Sequence, residues 1–160
     1  MTFTPRTELL VDSNLLVLYV VGTVNPDRIA TFKRTSRYNV QHFRFLSGIL
    51  EKCSRLHAVP HALAEVSNLV DLKGRERALA FDILKTLIGV LKEADISSAE
   101  ASQGRIYSAL GLTDSSIAEA AARLRCDVLT DDLDLWLALS RQGIPAHNFM
   151  HLCAEFVERA

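Results

Sequence analysis

The pattern of apolar and polar positions divides the chain into short apolar runs and longer amphipathic segments. Residues 8–11 form a short apolar run typical of a buried strand, and the apolar pattern resumes at Leu15 and continues to Val20 like a buried helix. Three polar residues, Asp12, Ser13 and Asn14, separate these segments. In open α/β sheets, ligands bind at the carboxyl ends of the strands. Asp12 is therefore either the N-cap of the first helix or the first ligand of a metal site.

The remaining segments continue this alternation of strands and helices. Strands are predicted at 8–11, 57–60, 95–97, 127–130 and 145–149. Helices are predicted at 15–20, 38–56, 61–71, 78–91, 99–110, 115–125, 132–141 and 152–157. Ser116 and Glu119 match a capping box in the helix at 115–125. The alternation indicates βαβ units, so we expect one α/β domain over residues 1–160. It would be a three-layer α/β/α sandwich around a parallel sheet of four to five strands.

The composition is that of an ordinary globular domain, since 49% of the 160 residues are hydrophobic and 23% are charged. No apolar run approaches the roughly 18 residues of a membrane span, and residues 1–8 are too polar for a signal peptide. Cys53, Cys126 and Cys153 are widely spaced, which favours a reducing compartment over a disulfide framework or a zinc knuckle. These features predict a cytoplasmic protein without a membrane contact.

Positive and negative residues are unevenly distributed, although the formal net charge is only −1. Residues 22–55 contain seven Lys and Arg against two acids, whereas residues 112–136 contain six acids against two Arg. An enzyme that acts on a polyanion requires both, because acids bind a metal ion and bases bind phosphate. Solvated helix faces would explain the same distribution without a function.

Several acidic residues follow predicted strands or begin predicted helices, which would place them at one edge of a parallel sheet. They are Asp12, Glu65, Asp114, Asp131, Asp132 and Asp134. Helix N-termini attract acids without any ligand, so capping explains each residue taken alone. Convergence of four carboxylates would instead require a divalent cation, and a site built only of oxygen ligands suits Mg²⁺ or Mn²⁺.

Other functional motifs are incomplete or absent from the sequence. The pairs His57/His61 and His147/His151 have a spacing that binds zinc on a helix, but the first pair straddles Pro60 and no third ligand follows. The sequence contains neither GxGxxG nor GxxxxGK[ST], which excludes the usual nucleotide-binding loops. A receiver-like phosphorylation domain would need a lysine after a late strand, and none lies there. We find no Ser-His-Asp or Cys-His arrangement for nucleophilic catalysis.

Four sequence blocks together resemble the PIN domain family, and in particular the VapC-like toxin ribonucleases. The blocks are residues 10–14 (LVDSN), Glu65 in a helix that begins with proline, residues 112–117 (LTDSSI) and residues 128–135 (VLTDDLDL). The last block is the most specific, because it places an acid two residues after a threonine that ends an apolar strand. Asp131 falls at the variable position of this block. The interval of 18 residues from Asp114 to Asp132 also suits the family.

The resemblance implies an endoribonuclease that depends on Mg²⁺ or Mn²⁺ and hydrolyses RNA phosphodiester bonds with a metal-activated water. The implied catalytic and metal-binding residues are Asp12, Glu65, Asp114 and Asp132, with Asp134 as an auxiliary metal ligand. Asn14 and Thr130 resemble the polar residues that orient this cluster. The basic residues that would hold the RNA backbone are Lys33, Arg34, Arg37 and Arg44.

The family context also implies partners, namely an RNA substrate, a cognate antitoxin of a type II toxin–antitoxin pair and a second copy of the chain in a homodimer. The 53 residues from Asp12 to Glu65 exceed the interval expected in compact toxins, so residues 22–37 are interpreted as a basic insertion. The alternative interpretation is a catalytically silent PIN scaffold that acts as an RNA- or protein-binding module. The complete set of acids favours the enzyme.

Overall fold

The computed structural model describes residues 3–4 and 7–159. Strands β1 to β5 span Glu8–Val11, Arg55–Ala58, Lys92–Glu93, Asp127–Thr130 and Ala146–Asn148. Helices α1 to α9 span Ser13–Val24, Val40–Lys52, Pro60–Leu69, Gly74–Val90, Ser98–Ser102, Tyr107–Leu110, Leu112–Leu124, Leu133–Arg141 and Phe149–Phe156. A short 3-10 helix covers Pro26–Arg28. None of the helices in the described ranges combines the length and the apolar character needed to cross a membrane.

The five strands form one parallel sheet in the order β3-β2-β1-β4-β5. Successive side chains of β1 point to opposite faces, so Leu9 and Val11 enter one apolar core and Leu10 enters the other. The first core also contains residues of α1, α2, α4 and α9, and the second contains residues of α5, α7 and α8. The predicted three-layer α/β/α sandwich is therefore confirmed, with five strands in its sheet.

The predicted strands at 8–11 and 127–130 are correct, those at 57–60 and 95–97 are shifted along the chain, and the one at 145–149 is shorter than predicted. β2 begins at Arg55 because it pairs in register with β1 from Glu8 onward. β3 consists of two exposed charged residues, so it carries no apolar pattern, and the buried Ile96 that suggested a strand lies in the loop after it. β5 is shorter than the predicted segment, because α9 already begins at Phe149.

Helix α7 begins at Leu112, which is earlier than predicted, so the expected capping box at Ser116 is wrong. Gly111 has a φ of 90°, a conformation that favours glycine, and it allows the chain to turn directly from α6 into α7. Ser116 lies inside the helix, where its hydroxyl donates to the Leu112 carbonyl at 2.9 Å and contacts His61 Nδ1 at 3.0 Å. Asp114 therefore belongs to the first turn of α7.

The predicted helix at 99–110 is interrupted by a turn between α5 and α6. Gly104 lies in this turn and packs so closely on α7 that an added Cβ would approach Ser115 Oγ to 2.2 Å. The Ser115 hydroxyl donates to the Ala101 carbonyl at 2.6 Å. These contacts hold the turn against α7 and bring Leu110 and Gly111 to the carboxyl edge of the sheet.

The basic segment at 22–37 comprises the last residues of α1 and most of the folded connection from α1 to α2. Its centre is fixed by the buried Thr35, whose hydroxyl donates to the Ile29 carbonyl at 2.8 Å. Arg28 donates to Glu76 of α4 at 2.8 Å. The connection is therefore tied to the helical layer next to α1, and its origin as an insertion stays a prediction.

Candidate functional site

Asp12 lies where the central strand β1 ends and α1 begins. Its backbone N–H donates to the Leu129 carbonyl at 3.0 Å, which continues the pairing with β4. Its Oδ1 accepts from the Ser13 N–H at 2.7 Å, and its Oδ2 accepts from the Thr130 hydroxyl at 2.7 Å. Asp12 is only 4% exposed. Burial raises the pKa of Asp12 to about 6, although the hydrogen bonds from Thr130 and Ser13 act in the opposite direction.

Asp132 is placed next to Asp12 because β4 pairs directly with β1. It is the N-cap of α8, and its Oδ1 accepts from the Leu135 N–H at 3.0 Å. The N–H of Asp132 donates to the Thr130 hydroxyl at 3.0 Å, and the same hydroxyl donates to Asp12. Thr130 thus connects the Asp12 carboxylate to the backbone of Asp132 through one fully buried side chain.

Glu65 projects from α3 and is held by hydroxyl groups of two other helices. Ser13 donates to Glu65 Oε2 at 2.7 Å, and Thr113 donates to Oε1 at 3.0 Å. Neither hydroxyl residue was predicted to have this role. Each is the immediate neighbour of a predicted acid, Asp12 or Asp114, and this adjacency is the signal from which the role could have been inferred.

The four predicted catalytic acids line one cleft of about 450 Å³ at the carboxyl edge of the sheet. The lining residues are Asp12, Ser13, Asn14, Glu65, Leu110, Gly111, Leu112, Thr113, Asp114 and Asp132. Partial burial, followed by the negative charges of Asp12, Asp132 and Glu65, raises the pKa of Asp114 to about 7. The cleft therefore concentrates negative charge that no basic residue of its lining offsets.

Asp134 and Asp131 lie outside this lining. Asp134 is exposed on α8 and lines a neighbouring depression together with Arg105 and Arg141. The carboxylate of Asp131 is fully buried and forms an ion pair with Arg37. Burial raises the pKa of Asp131, while the Arg37 charge and the Asn14 side chain lower it. Sequence reasoning treated Asp131 as a variable position and therefore missed this contact.

The four basic residues predicted to bind RNA do not line the cleft in the part of the chain that the structure describes. Arg37 lies beside it, since its partner Asp131 is adjacent to Asp132, but its guanidinium group is engaged by that buried carboxylate. Lys33, Arg34 and Arg44 are exposed on the connection to α2 and on α2 itself. Their role in RNA binding stays a prediction.

The donor chemistry of the cleft fits a hard divalent cation, because its charged groups are all carboxylates. Over residues 3–4 and 7–159, no group of three or more His, Cys, Asp or Glu side chains is already arranged to hold a metal ion. Hydroxyl groups engage both oxygens of Glu65. Burial, and secondarily the charges of Asp12, Asp132 and Glu65, nevertheless raise the pKa of Asp114, and a bound cation would offset both effects. The residues thus fit a cation by the chemistry of their donor atoms, and binding would require their side chains to be rearranged.

Comparisons with known proteins identify the fold and name no function. Neither a family model nor a curated protein matches this sequence. The structure is similar to the crystal structure of PAE2754 from Pyrobaculum aerophilum, with a TM-score of 0.50 and 18% identity, over 82% of this chain and 84% of that chain. It is also similar to a domain of a functionally unknown protein from Methanocaldococcus jannaschii DSM 2661, with a TM-score of 0.45 and 15% identity, over 88% and 89% of the two chains. The first similarity supports the α/β/α architecture alone.

Proposed function

We propose that this protein is a Mg²⁺- or Mn²⁺-dependent endoribonuclease of the PIN type, a hydrolase that cleaves phosphodiester bonds in RNA. The observation that carries the proposal is the convergence of Asp12, Glu65, Asp114 and Asp132 in one cleft, where burial and then the charges of the other three acids raise the pKa of Asp114. A clustering of acids at an enzyme-like cleft with strongly perturbed pKa values is typical of functional sites. The resemblance of the surrounding sequence blocks to PIN ribonucleases adds the reaction class.

The same four carboxylates would hold the cation, and Asp134 would act as an auxiliary ligand at the edge of the cleft. When bound, the cation lowers the pKa of a water molecule and offsets negative charge at the reacting phosphate. The chain contributes orientation, because Thr130 fixes Asp12 while Ser13 and Thr113 fix Glu65. Outer hydrogen bonds of this kind hold metal ligands in position.

The resemblance to VapC-like toxins extends the proposal to partners. On this basis the protein is the toxin of a type II pair in the cytoplasm, inhibited by a cognate antitoxin and assembled as a homodimer. These partners depend on the family resemblance, whereas the nuclease chemistry also depends on the geometry of the cleft. The two parts of the proposal can therefore be tested separately.

The nuclease is tested with purified protein and labelled single-stranded RNA in EDTA, Mg²⁺ or Mn²⁺. We expect cleavage only with a metal ion. The cleavage rate should fall by more than about 100-fold in Asp12→Asn and Asp114→Asn, which exceeds the 10–100-fold loss typical of residues that only hydrogen-bond to metal ligands. Asn is as good an N-cap as Asp, so Asp12→Asn should keep its fold. Asp95→Asn is the matched control, because Asp95 is an exposed acid outside the cleft.

The silent PIN scaffold is a second candidate, favoured by one observation. The hydroxyl groups of Ser13 and Thr113 already satisfy both oxygens of Glu65 without a metal ion. A wild-type protein that binds RNA but cuts none with either cation would establish the scaffold and contradict the nuclease. Metal-dependent cleavage that Asp12→Asn abolishes would do the reverse.

A further inference from the structure

A second depression lies beside the acidic cleft, between α6 and α8. This α6–α8 groove has a volume of about 490 Å³ and is lined by Arg105, Leu110, Leu137 and Arg141, among others. The volume is within the range of pockets that hold small ligands and is large enough for a nucleotide. Arg105 lies in the turn before α6, and Arg141 is the last residue of α8, so the two guanidinium groups come from different elements.

The arginines of the α6–α8 groove are available to bind a ligand. Several other arginines of the described chain are held by carboxylates, including Arg28, Arg37 and Arg123. Arg105 and Arg141 are exposed and take part in no ion pair among the described residues. The groove contains these two cations and a single carboxylate, so its formal charge is +1 next to a cleft that holds four acids.

The groove and the acidic cleft are adjacent. Leu110 lines both of them, and Asp134 of the groove is two residues from Asp132 of the cleft. Besides the arginines, the groove is lined by the apolar side chains of Leu137 and Ala138. Single-stranded RNA is bound by such a combination, because its bases lie on apolar surfaces or guanidinium planes while its phosphates contact cations.

We infer that the α6–α8 groove binds the nucleotide adjacent to the scissile phosphate of a single-stranded RNA, with its flanking phosphate on Arg105 and Arg141. The inference rests on the proposed function, since the RNA extends from the acidic cleft. In this arrangement Arg105 and Arg141 make the main phosphate contact, and not Lys33, Arg34 and Arg44, which line neither depression. Asp134 then lies between the reacting phosphate and the bound neighbour.

The test compares the wild type with the double variant Arg105→Gln/Arg141→Gln. Binding of a fluorescein-labelled, mixed-sequence RNA of about 10 nucleotides is measured by anisotropy in EDTA, and cleavage is measured in Mn²⁺. The control is Arg75→Gln/Lys85→Gln, which removes two exposed cations from α4, a helix that lines neither depression. Because all four positions are exposed, both variants should fold.

We expect the groove variant to bind RNA on the order of tenfold more weakly at 0.1 M salt. The slope of log affinity against log salt concentration should be smaller by roughly 1.4, the value expected when two phosphate contacts to a single strand are lost. KM should rise by a similar factor while kcat stays unchanged, and a dinucleotide substrate should not distinguish the variant from the wild type. The α4 control should match the wild type.

Separate outcomes contradict the groove and the nuclease. If the wild type cuts RNA and the groove variant binds and cuts equally well, the groove inference is wrong and the proposed function stands. If the wild type binds RNA without cutting and the groove variant loses binding, the groove binds RNA and the nuclease proposal is wrong. A protein that neither binds nor cuts RNA contradicts both, and the groove would then belong to a protein partner.

Discussion

Thr130→Val is the substitution that best tests how the buried threonine organises the cleft. Valine has nearly the same shape, so the β4 packing is retained while the hydroxyl is removed. The variant loses the hydrogen bond to Asp12 Oδ2 at 2.7 Å and the acceptor of the Asp132 N–H at 3.0 Å. The Asp12 carboxylate oxygen and the Asp132 N–H then both lose the partner that the fully buried Thr130 side chain provides.

The magnitude follows from the type of each lost bond. A hydrogen bond to a charged group contributes about 1.5–3 kcal/mol, and an unpaired buried N–H costs about 1–3 kcal/mol. Since Asp132 is partly exposed and can recruit water, we expect the free energy of unfolding to fall by about 2 kcal/mol. The Thr130 hydroxyl also lowers the pKa of Asp12, so its loss raises that pKa further above about 6. At neutral pH a larger fraction of Asp12 is then protonated, and metal affinity should fall by roughly 10–100-fold.

Affinity for Mn²⁺ is measured by calorimetric titration at pH 6.5, 7.5 and 8.5, and stability is measured by urea unfolding in EDTA. The affinity of Thr130→Val should recover toward that of the wild type as the pH rises, because Asp12 becomes ionised. Thr130→Ser is the matched control, since it keeps the hydroxyl. Wild-type Mn²⁺ affinity in Thr130→Val at all three pH values would refute the reasoning, as would an equal loss in Thr130→Ser.

Four further variants test the electrostatics of the cleft, the hydroxyl groups that contact Glu65, and the packing of α1 and α2. Asp114→Asn should stabilise the metal-free protein at pH 8 by about 1–2 kcal/mol, a value reduced for solvent screening. The pKa of Asp114 is raised from 3.8 to about 7, so its contribution makes wild-type stability fall as the pH rises between these values. Asp12, with a pKa raised to about 6, contributes a loss in both proteins, so thermal unfolding in EDTA at pH 5 and 8 should show a larger loss in the wild type than in Asp114→Asn. Ser13→Ala/Thr113→Val removes both hydroxyl groups that contact Glu65 and should weaken Mn²⁺ binding about tenfold, as measured by calorimetry. Unchanged affinity would contradict the role of these hydroxyl groups in holding Glu65. Gly22→Ala should lower the free energy of unfolding, measured in urea, by about 1–3 kcal/mol, because the new Cβ would lie 2.3 Å from Phe43 Cδ2. Gly48→Ala in α2 should raise it by about 0.5–1 kcal/mol, because the space around Gly48 is open.

The sequence was sufficient for the layer architecture because its strongest signals are local. The apolar runs at 8–11 and 127–130 coincide with β1 and β4. Asp12 and Asp132 follow these two strands in the sequence. β3 could not be found in this way, since an edge strand of two exposed charged residues has no hydrophobic pattern. Its position is set by pairing with β2, which is a long-range contact.

The start of α7 and the break between α5 and α6 were not predictable for a related reason. Local pattern favoured Ser116 as a cap, but the positive φ of Gly111 allows the helix to begin at Leu112. The turn at Gly104 exists because α5 and α7 pack too closely for any side chain there. Such an approach depends on tertiary packing rather than on helical periodicity.

The candidate site was predictable in its acids and not in the groups that hold them. The sequence shows that a carboxylate follows a predicted strand, and the parallel sheet predicts at which edge that carboxylate lies. The clamp of Ser13 and Thr113 on Glu65 joins residues about 50 positions apart, and the ion pair of Arg37 with Asp131 joins residues 94 apart. The adjacency of Ser13 and Thr113 to predicted acids places these hydroxyls near the site, but no local pattern identifies Glu65 as their partner or pairs Arg37 with Asp131.

The lateral ends of the sheet restrict how this protein can associate with others. One end is β3, two residues long with charged, exposed side chains, and the other is β5, three residues long, with Phe3 packed edge-on against its His147 ring. Short and charged ends are poor templates for an added strand. An extended peptide would thus find little backbone to pair with, so any protein that binds this chain is expected to use helical surfaces, as in helix-in-groove complexes.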